Sequence, residues 1–278
     1  MNSQDFQLFG DIVRTRSGLV LTEEKIYLLE SRLIPLARRR GLDSLEALAA
    51  EVRRTKDERL LMEITEAMTT NETFFFRDTR PFDTFRDVVL PQLLKARAAK
   101  KSLRIWTAAC STGQEPYSLA MLLKEEAAKM AGWRVEILAT DLSNEVLEKA
   151  KAGLYSQFEV QRGLPIQLLM KHFQQVGEMW QIDSSIRAMV KFQPRNLLED
   201  FSSIGQFDVV FCRNVLIYFD QATKSQVLNR VYDILAVDGA LFLGGAETVL
   251  GICDRFKPGE GQRGVYTSAE SGLLAAAG

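Results

Sequence analysis

The stretch that most constrains this chain is Leu103–Met121, LRIWTAACSTGQEPYSLAM. Leu103–Thr107 is an apolar run that favours a strand. From Glu115 onward, Leu119, Leu122 and Leu123 recur at helical spacing. Between them lies a turn of small residues, Ala108 to Gly113. Strand, small-residue turn and helix form the nucleotide-cradling unit of an open α/β sheet. Small residues let the backbone approach a ligand, and the new helix aims its free N–H groups at the same place. Ser111 and Gln114 have the spacing of a capping box. A dinucleotide fingerprint needs three glycines, and here there is only Gly113; a GK[ST] triphosphate loop is also missing. An adenosine cofactor without phosphates suits the turn better. The plainer alternative is a tight βα connection with a well-capped helix.

The rest of the chain supplies a core and excludes several classes. Hydrophobic residues make up 46% of the 278, ample for one large or two small domains. The formal net charge of −1 argues against broad nucleic-acid binding, which needs a basic surface. Cys110, Cys212 and Cys253 are widely spaced and odd in number, so no disulfide framework and no metal site is expected. His172 is the single histidine, expected at the surface or half-buried, which leaves little room for histidine chemistry. The start MNSQDFQLFG lacks a signal pattern and no apolar run reaches membrane-spanning length, so a cytoplasmic protein with no direct membrane insertion is expected. The tail Leu273–Gly278 is expected to fray.

Residues 1 to about 70 read as helix throughout. Phe6, Phe9 and Val13 share one face; Thr22 is placed to cap a second helix carrying Ile26, Leu29, Leu33 and Leu36, which Pro35 should kink or split. Ser44 caps a third, with Leu45, Leu48 and Val52 inward, and a fourth carries Leu60, Ile64 and Met68. Arg32, Arg38, Arg39, Arg40, Arg53 and Arg54 cluster here, either as solvated helix faces or as a docking surface for an acidic partner. Thr69–Arg80, TTNETFFFRDTR, joins this bundle to the second domain. Phe74, Phe75 and Phe76 cannot all face one way in an extended chain, so at least one is expected to meet that domain.

From Leu103 the pattern is β-α-β. Arg134–Ala139 is the second strand, and Asp141 lies just past its end, where such folds hold ribose hydroxyls; capping the next helix, from Ser143 to about Lys151, is its alternative use. Phe207–Cys212 reads as a strand buried on both faces, followed by a helix from about Gln221 to Ala236 with Val227, Val231 and Leu235 inward. Gly239–Gly244 and Gly264–Thr267 read as further strands. Between the second strand and Phe207, Trp180–Ile182 and Ala188–Phe192 alternate like an antiparallel hairpin turning at Asp183-Ser184-Ser185, an inserted subdomain from which one strand can extend into the main sheet.

Five blocks in order, TTNETFFFRD at 69–78, IWTAACSTGQEPYSLAM at 105–121, ATDLSNEVLEKAKAGLY at 139–155, NLL at 196–198 and FDVVFCRNVLIYFD at 207–220, resemble the CheR family of chemotaxis receptor methyltransferases. The resemblance covers nearly the whole chain. It implies an α/β fold, a doubly wound, Rossmann-like methyltransferase sheet, with an all-helical docking domain over residues 1–76 and the methyltransferase domain over 77–278. A small antiparallel β-subdomain is inserted at about 155–192. It implies methyl transfer from S-adenosyl-L-methionine to glutamate side chains of methyl-accepting chemotaxis receptors, giving glutamyl methyl esters and S-adenosyl-L-homocysteine. Carried over, the cofactor contacts are Asn71, Thr73, Arg77, Glu115, Asp141, Asn196, Leu197, Arg213 and Asn214. Arg77 and Tyr218 place the substrate at the reacting methyl, and Arg38, Arg39, Arg40, Arg53 and Arg54 face the receptor's cytoplasmic domain.

Some family members hold a receptor's C-terminal pentapeptide through a glycine-rich turn of the β-subdomain. The corresponding turn here, Gln174–Trp180, has only Gly177, so no such tether is expected. A nucleic-acid methyltransferase is disfavoured: Asn214–Tyr218 lacks the prolines of the base-methylating motif. An NAD oxidoreductase is disfavoured by the missing glycines, and a non-catalytic sensor by the retention of Arg77 and Tyr218.

Overall fold

The computed structural model describes residues 1–270, so the Leu273–Gly278 tail lies outside the described residues. The chain forms two units: Met1–Thr70 together with Tyr218–Lys224, and Asn71–Ile217 together with Ser225 onward.

The first unit holds four helices, α1 (Ser3–Ser17), α2 (Ile26–Arg39), α3 (Leu45–Thr55) and α4 (Glu58–Met68). Their predicted apolar faces, from Phe9 and Val13 to Ile64 and Met68, form one buried cluster. Side chains cap three of them: Asn2 accepts from Asp5 N–H, Ser44 from Ala47 N–H and Asp57 from Arg59 N–H. Thr22 does not cap α2. A short 3₁₀ turn, Glu23–Lys25, comes first, and α2 starts after Lys25 with no side-chain cap. Ile26, at that start, is exposed rather than on the buried face. Pro35 does not split α2, which runs unbroken to Arg39; the proline is exposed, so the carbonyl that it leaves unbonded can be met by water.

Much of the basic cluster is structural. Arg32 donates to the carbonyls of Met68 and Thr69 and to Thr70 Oγ1, closing the carboxyl end of α4. Arg40 forms a two-bond fork on Glu63, Arg53 pairs with Asp5 at 2.7 Å, and Arg54 pairs with Glu51. Arg38 and Arg39 are exposed, and neither makes an ion pair or side-chain hydrogen bond among the described residues.

The second unit begins with α5 (Arg80–Thr84), one π-helical turn (Phe85–Val89) and α6 (Leu90–Ala96). Its strands are β1 (Ser102–Ala108), β2 (Arg134–Asp141), β3 (Leu154–Ser156), β4 (Phe173–Val176), β5 (Met179–Ile182), β6 (Val190–Pro194), β7 (Phe207–Cys212), β8 (Leu235–Leu243), β9 (Phe256–Gly259) and β10 (Gln262–Ser268). Seven make one sheet in the order β6-β2-β1-β7-β8-β10-β9. The first five are parallel neighbours, and β10 pairs antiparallel with β8 and β9. All six residues of β7 are buried, as its unbroken apolar run requires. From β1 the chain winds one way to β2 and the other way to β7. That reversal puts a crevice at the carboxyl ends of these strands, where ligands bind in such sheets.

Further helices are α7 (Gln114–Glu125), α8 (Asn144–Ala152), α9 (Gln157–Gln161), α10 (Ile166–His172), α11 (Ser184–Arg187) and α12 (Gln221–Ile234). Helix α12 stops before Leu235, which instead opens β8; the strand starts four residues earlier than the Gly239 expected because Leu235 pairs with Phe207. The predicted hairpin is corrected in its pairing, while the expected extension of one of its strands into the main sheet is seen at Val190–Pro194. Met179–Ile182 pairs antiparallel with Phe173–Val176 and with Leu154–Ser156, making a small sheet in the order β3-β5-β4. Asp183 accepts from Ser185 N–H and starts α11 rather than a turn, and Val190–Pro194 joins the main sheet beside β2. Alternation identified the strands but not their partners, because both sheets supply one buried face. Of the three phenylalanines, Phe75 is fully buried in the core of this unit, Phe76 packs against that core, and Phe74 lies under Arg162 and Arg77.

Candidate active site

The turn after β1 is held in left-handed backbone at Ala109, Ser111 and Gly113, with φ of 54°, 52° and 93°. Two of these are not glycine, a conformation that persists only when its surroundings impose it. Here Cys110 N–H donates to Thr140 carbonyl, and Ser111 N–H to Asp141 Oδ2 at 2.8 Å. The turn is thereby laid across the end of β2. The expected capping box is absent. Gly113 is the N-cap of α7 without a side-chain bond; Ser111 Oγ donates to Asn71 carbonyl, and Gln114 Oε1 accepts from Thr112 Oγ1. The serine is used to tie residue 71 to the turn.

Asp141 is buried at the carboxyl end of β2, and its other oxygen accepts Ser143 N–H at 3.0 Å. The two backbone bonds fix the carboxylate at the strand end, the position at which folds of this kind carry an acid for ribose hydroxyls. Ser143, not Asp141, caps α8. Beyond β6, Asn196 Oδ1 accepts Leu198 N–H, while Leu197 is buried and its carbonyl accepts from Arg230. Thr73 is half-buried.

Arg213, just after β7, is the electrostatic hub. Its side chain is 1% exposed and lies 2.8 Å from Glu115 and 2.7 Å from Asp78. It also donates to the Arg77 carbonyl. Phe76, Asp78 and Thr79 are all at positive φ, so the backbone flanking Arg77 is strained, and Arg213 together with the Phe76 N–H to Ser118 Oγ bond holds it there. Burial pushes the Glu115 carboxyl above its ordinary range, and the Arg213 charge opposes that shift. The Arg77 side chain donates to Glu72 carbonyl and does not pair with Asp78.

Sequence reasoning missed Glu247. Its carboxylate accepts the backbone N–H groups of Gly244 and Asn214 on Oε2, and of Val215 on Oε1 at 2.9 Å. This bracket shapes the loop carrying Asn214, whose φ is 59°. The available signal was a lone acid shortly after the Gly244-Gly245 pair that ends β8. Tyr218 groups with the helical unit, half-buried against its core, and its carbonyl accepts Val20 N–H. His172 is buried and spent on Glu125, 2.8 Å away. Burial pushes the Cys110 and Cys212 thiols up, so neither is a ready nucleophile.

The arrangement fits S-adenosylmethionine. Asp141 is a buried carboxylate fixed at the end of β2, of the kind that can accept hydroxyl donors, and the Ala109–Gly113 turn offers backbone rather than bulky side chains. The charge of Arg213 is balanced by two carboxylates, and its Nε is a buried donor without a partner among the described residues.

Comparison with known proteins agrees. Residues 71–265 match the family model described as CheR methyltransferase, SAM binding domain, and residues 4–69 match CheR methyltransferase, all-alpha domain. The chain is 42% identical to chemotaxis protein methyltransferase 1 of Pseudomonas aeruginosa, covering 91% of this chain and 93% of that one. It is 37% identical to chemotaxis protein methyltransferase Cher2 of Pseudomonas putida over 96% and 98%, and 32% identical to the Escherichia coli chemotaxis protein methyltransferase over 92% and 88%. Every predicted cofactor contact, from Asn71 to Asn214, lies inside the SAM-binding match, and the chain belongs to the CheR methyltransferase family.

Proposed function

We propose that this protein transfers the methyl group of S-adenosylmethionine to glutamate side-chain carboxylates in the cytoplasmic domain of methyl-accepting chemotaxis receptors. The products are glutamyl methyl esters and S-adenosylhomocysteine. The observation that carries this reading is similarity along nearly the full chain, through both family domains, to proteins named chemotaxis protein methyltransferases.

The chemistry asks little of the protein beyond placement. A glutamate of ordinary pKa, about 4.3, is already ionised at neutral pH, so no general base is required. The cofactor supplies a methyl activated on a sulfonium. A carboxylate oxygen lone pair forms the new O–CH₃ bond as the C–S bond breaks, and the bonding electrons leave with sulfur. In this reading Asn71, Thr73, Arg77, Glu115, Asp141, Asn196, Leu197, Arg213 and Asn214 hold the cofactor. Arg77 holds one oxygen of the receptor carboxylate and leaves the other to attack. Tyr218, four residues after Asn214 in the chain, is a second, milder orienting donor. Such orientation can supply up to about 7–11 kcal/mol of the barrier in favourable cases.

The receptor docks on the helical domain, where Arg38 and Arg39 are the uncommitted cations of the five predicted; Arg40, Arg53 and Arg54 have intramolecular acid partners. No pentapeptide tether is used, since the β4–β5 turn has Gly177 alone. The reaction takes place in the cytoplasm; among the described residues no helix is long and apolar enough to cross a membrane.

The test is transfer of labelled methyl to receptor cytoplasmic fragments, followed by mild alkali. Label that enters protein and is released as methanol supports the reading. Base-stable label would mean nitrogen or carbon methylation and would overturn it.

A further inference from the structure

Beyond the carboxyl end of β8 the structure leaves a pocket of about 580 Å³. Asn214 is on its wall, next in sequence to Arg213, so the pocket adjoins the end of β7. The Gly244–Thr248 loop forms another wall. A Cβ at Gly244 would fall 2.7 Å from both Asn214 Nδ2 and Glu247 Oε2, so glycine is what lets Asn214 and the Glu247 bracket come together there.

The pocket also takes Arg80, at the start of α5, and Arg263, on β10. Both are exposed, and neither makes an ion pair or side-chain hydrogen bond among the described residues. The two acids on the wall are already engaged: Asp78 by Arg213, and Glu247 by backbone N–H groups. What the pocket offers an incoming group is therefore two uncommitted guanidiniums, beside the end of a strand that carries cofactor-site residues. Uncommitted guanidiniums are planar, forked donors suited to carboxylates.

We infer that this pocket is a receptor subsite, in which Arg80 and Arg263 hold a second acidic side chain of the receptor segment, near the glutamate being methylated. The inference rests on the proposed glutamate methylation and adds a sequence preference to it. Methylation neutralises the target carboxylate but leaves its acidic neighbour charged. The grip is thus equal in the ground and transition states, so it acts on KM and not on kcat.

The experiment uses the full chain, labelled S-adenosylmethionine and a receptor cytoplasmic fragment with a known methylated glutamate. Wild type, Arg80→Gln, Arg263→Gln and the double variant are compared, with thermal melts to show that each folds. The double variant is expected to raise the receptor KM by roughly 3- to 30-fold, the span that two exposed ion pairs supply. Its kcat and S-adenosylhomocysteine affinity should stay within about twofold of wild type, as uniform binding requires. The KM difference should shrink at high salt. It should also disappear with a receptor fragment whose acids flanking the target are changed to glutamine. An unchanged KM, or a rise that persists with the neutralised fragment, would overturn the subsite while the glutamate reading stands. Failure of the wild type to methylate the fragment while still binding S-adenosylhomocysteine would overturn that reading, and the subsite with it.

Discussion

The Arg213 guanidinium meets the Glu115 carboxylate at 2.8 Å, with the arginine side chain 1% exposed. This contact joins the end of β7 to the start of α7, and the same guanidinium reaches Asp78 in the strained turn beside Arg77. Removing the cation strands a carboxylate that burial already disfavours. Arg213→Met is expected to lower unfolding stability by about 3–5 kcal/mol, with S-adenosylhomocysteine binding lost. Arg213→Lys, which keeps the charge but not the fork, should retain part of both. Denaturant unfolding and calorimetric titration check this; a Met variant of wild-type stability and affinity would show that the hub is dispensable.

Asp141→Ala removes the acceptor at the end of β2 and frees the N–H groups of Ser111 and Ser143. Cofactor affinity should fall by about tenfold or more, the loss expected for a charge-assisted bond. Calorimetry with S-adenosylhomocysteine is the measurement, and unchanged affinity would remove Asp141 from the site.

Arg77→Ala should cut kcat at saturating cofactor by roughly 100-fold, the loss that misplacement of reacting groups brings. Full turnover in this variant would end its proposed role in holding the receptor carboxylate.

Within the helical domain the arginines divide by their partners. Arg38→Glu with Arg39→Glu is expected to raise the receptor KM without altering thermal stability or cofactor affinity. Arg40→Ala, which breaks the fork on Glu63, should cost about 1 kcal/mol of stability. An unchanged receptor KM for the double variant would return Arg38 and Arg39 to ordinary solvated faces, and an unchanged melting temperature for Arg40→Ala would show that its fork on Glu63 adds nothing.

Acid sensitivity has a source away from the proposed chemistry. The Arg97 guanidinium bonds both Asp238 and Asp208, and it holds the Asp238 carboxyl below the usual carboxylate range. A depressed carboxyl contributes stability that is fully present above its unfolded pKa, about 3.9. That contribution is lost as pH falls through the folded value. Asp238→Asn should therefore be less stable than wild type by about 1–3 kcal/mol at pH 7, and the gap should close below pH 4. A gap independent of pH between 7 and 3 would contradict this.

The sequence disclosed elements whose pattern is set locally. The face of Leu29, Leu33 and Leu36, the unbroken run of β7 and the acid ending β2 all come from periodicity or from short-range chemistry. What it concealed depends on partners distant in the chain. Ser111 and Gln114 have capping-box spacing, yet Ser111 bonds the carbonyl of Asn71, forty residues earlier. Asp78 looks like a partner for its neighbour Arg77, but Arg213 takes it. The strand at Val190 alternates as a hairpin arm would, and its seat beside β2 shows which of the two expected strands extends into the main sheet. Glu247 is one acid among many until its carboxylate is seen accepting the backbone of the Asn214 loop.

Glutamate methylation is tested most directly by mass-spectrometric mapping of a receptor cytoplasmic fragment after incubation with the full chain and S-adenosylmethionine. Glutamate side chains are expected to gain one methyl each, reversed by mild alkali and absent when S-adenosylmethionine is omitted. Methyl groups mapping to lysine, arginine or backbone positions, or surviving alkali, would contradict it.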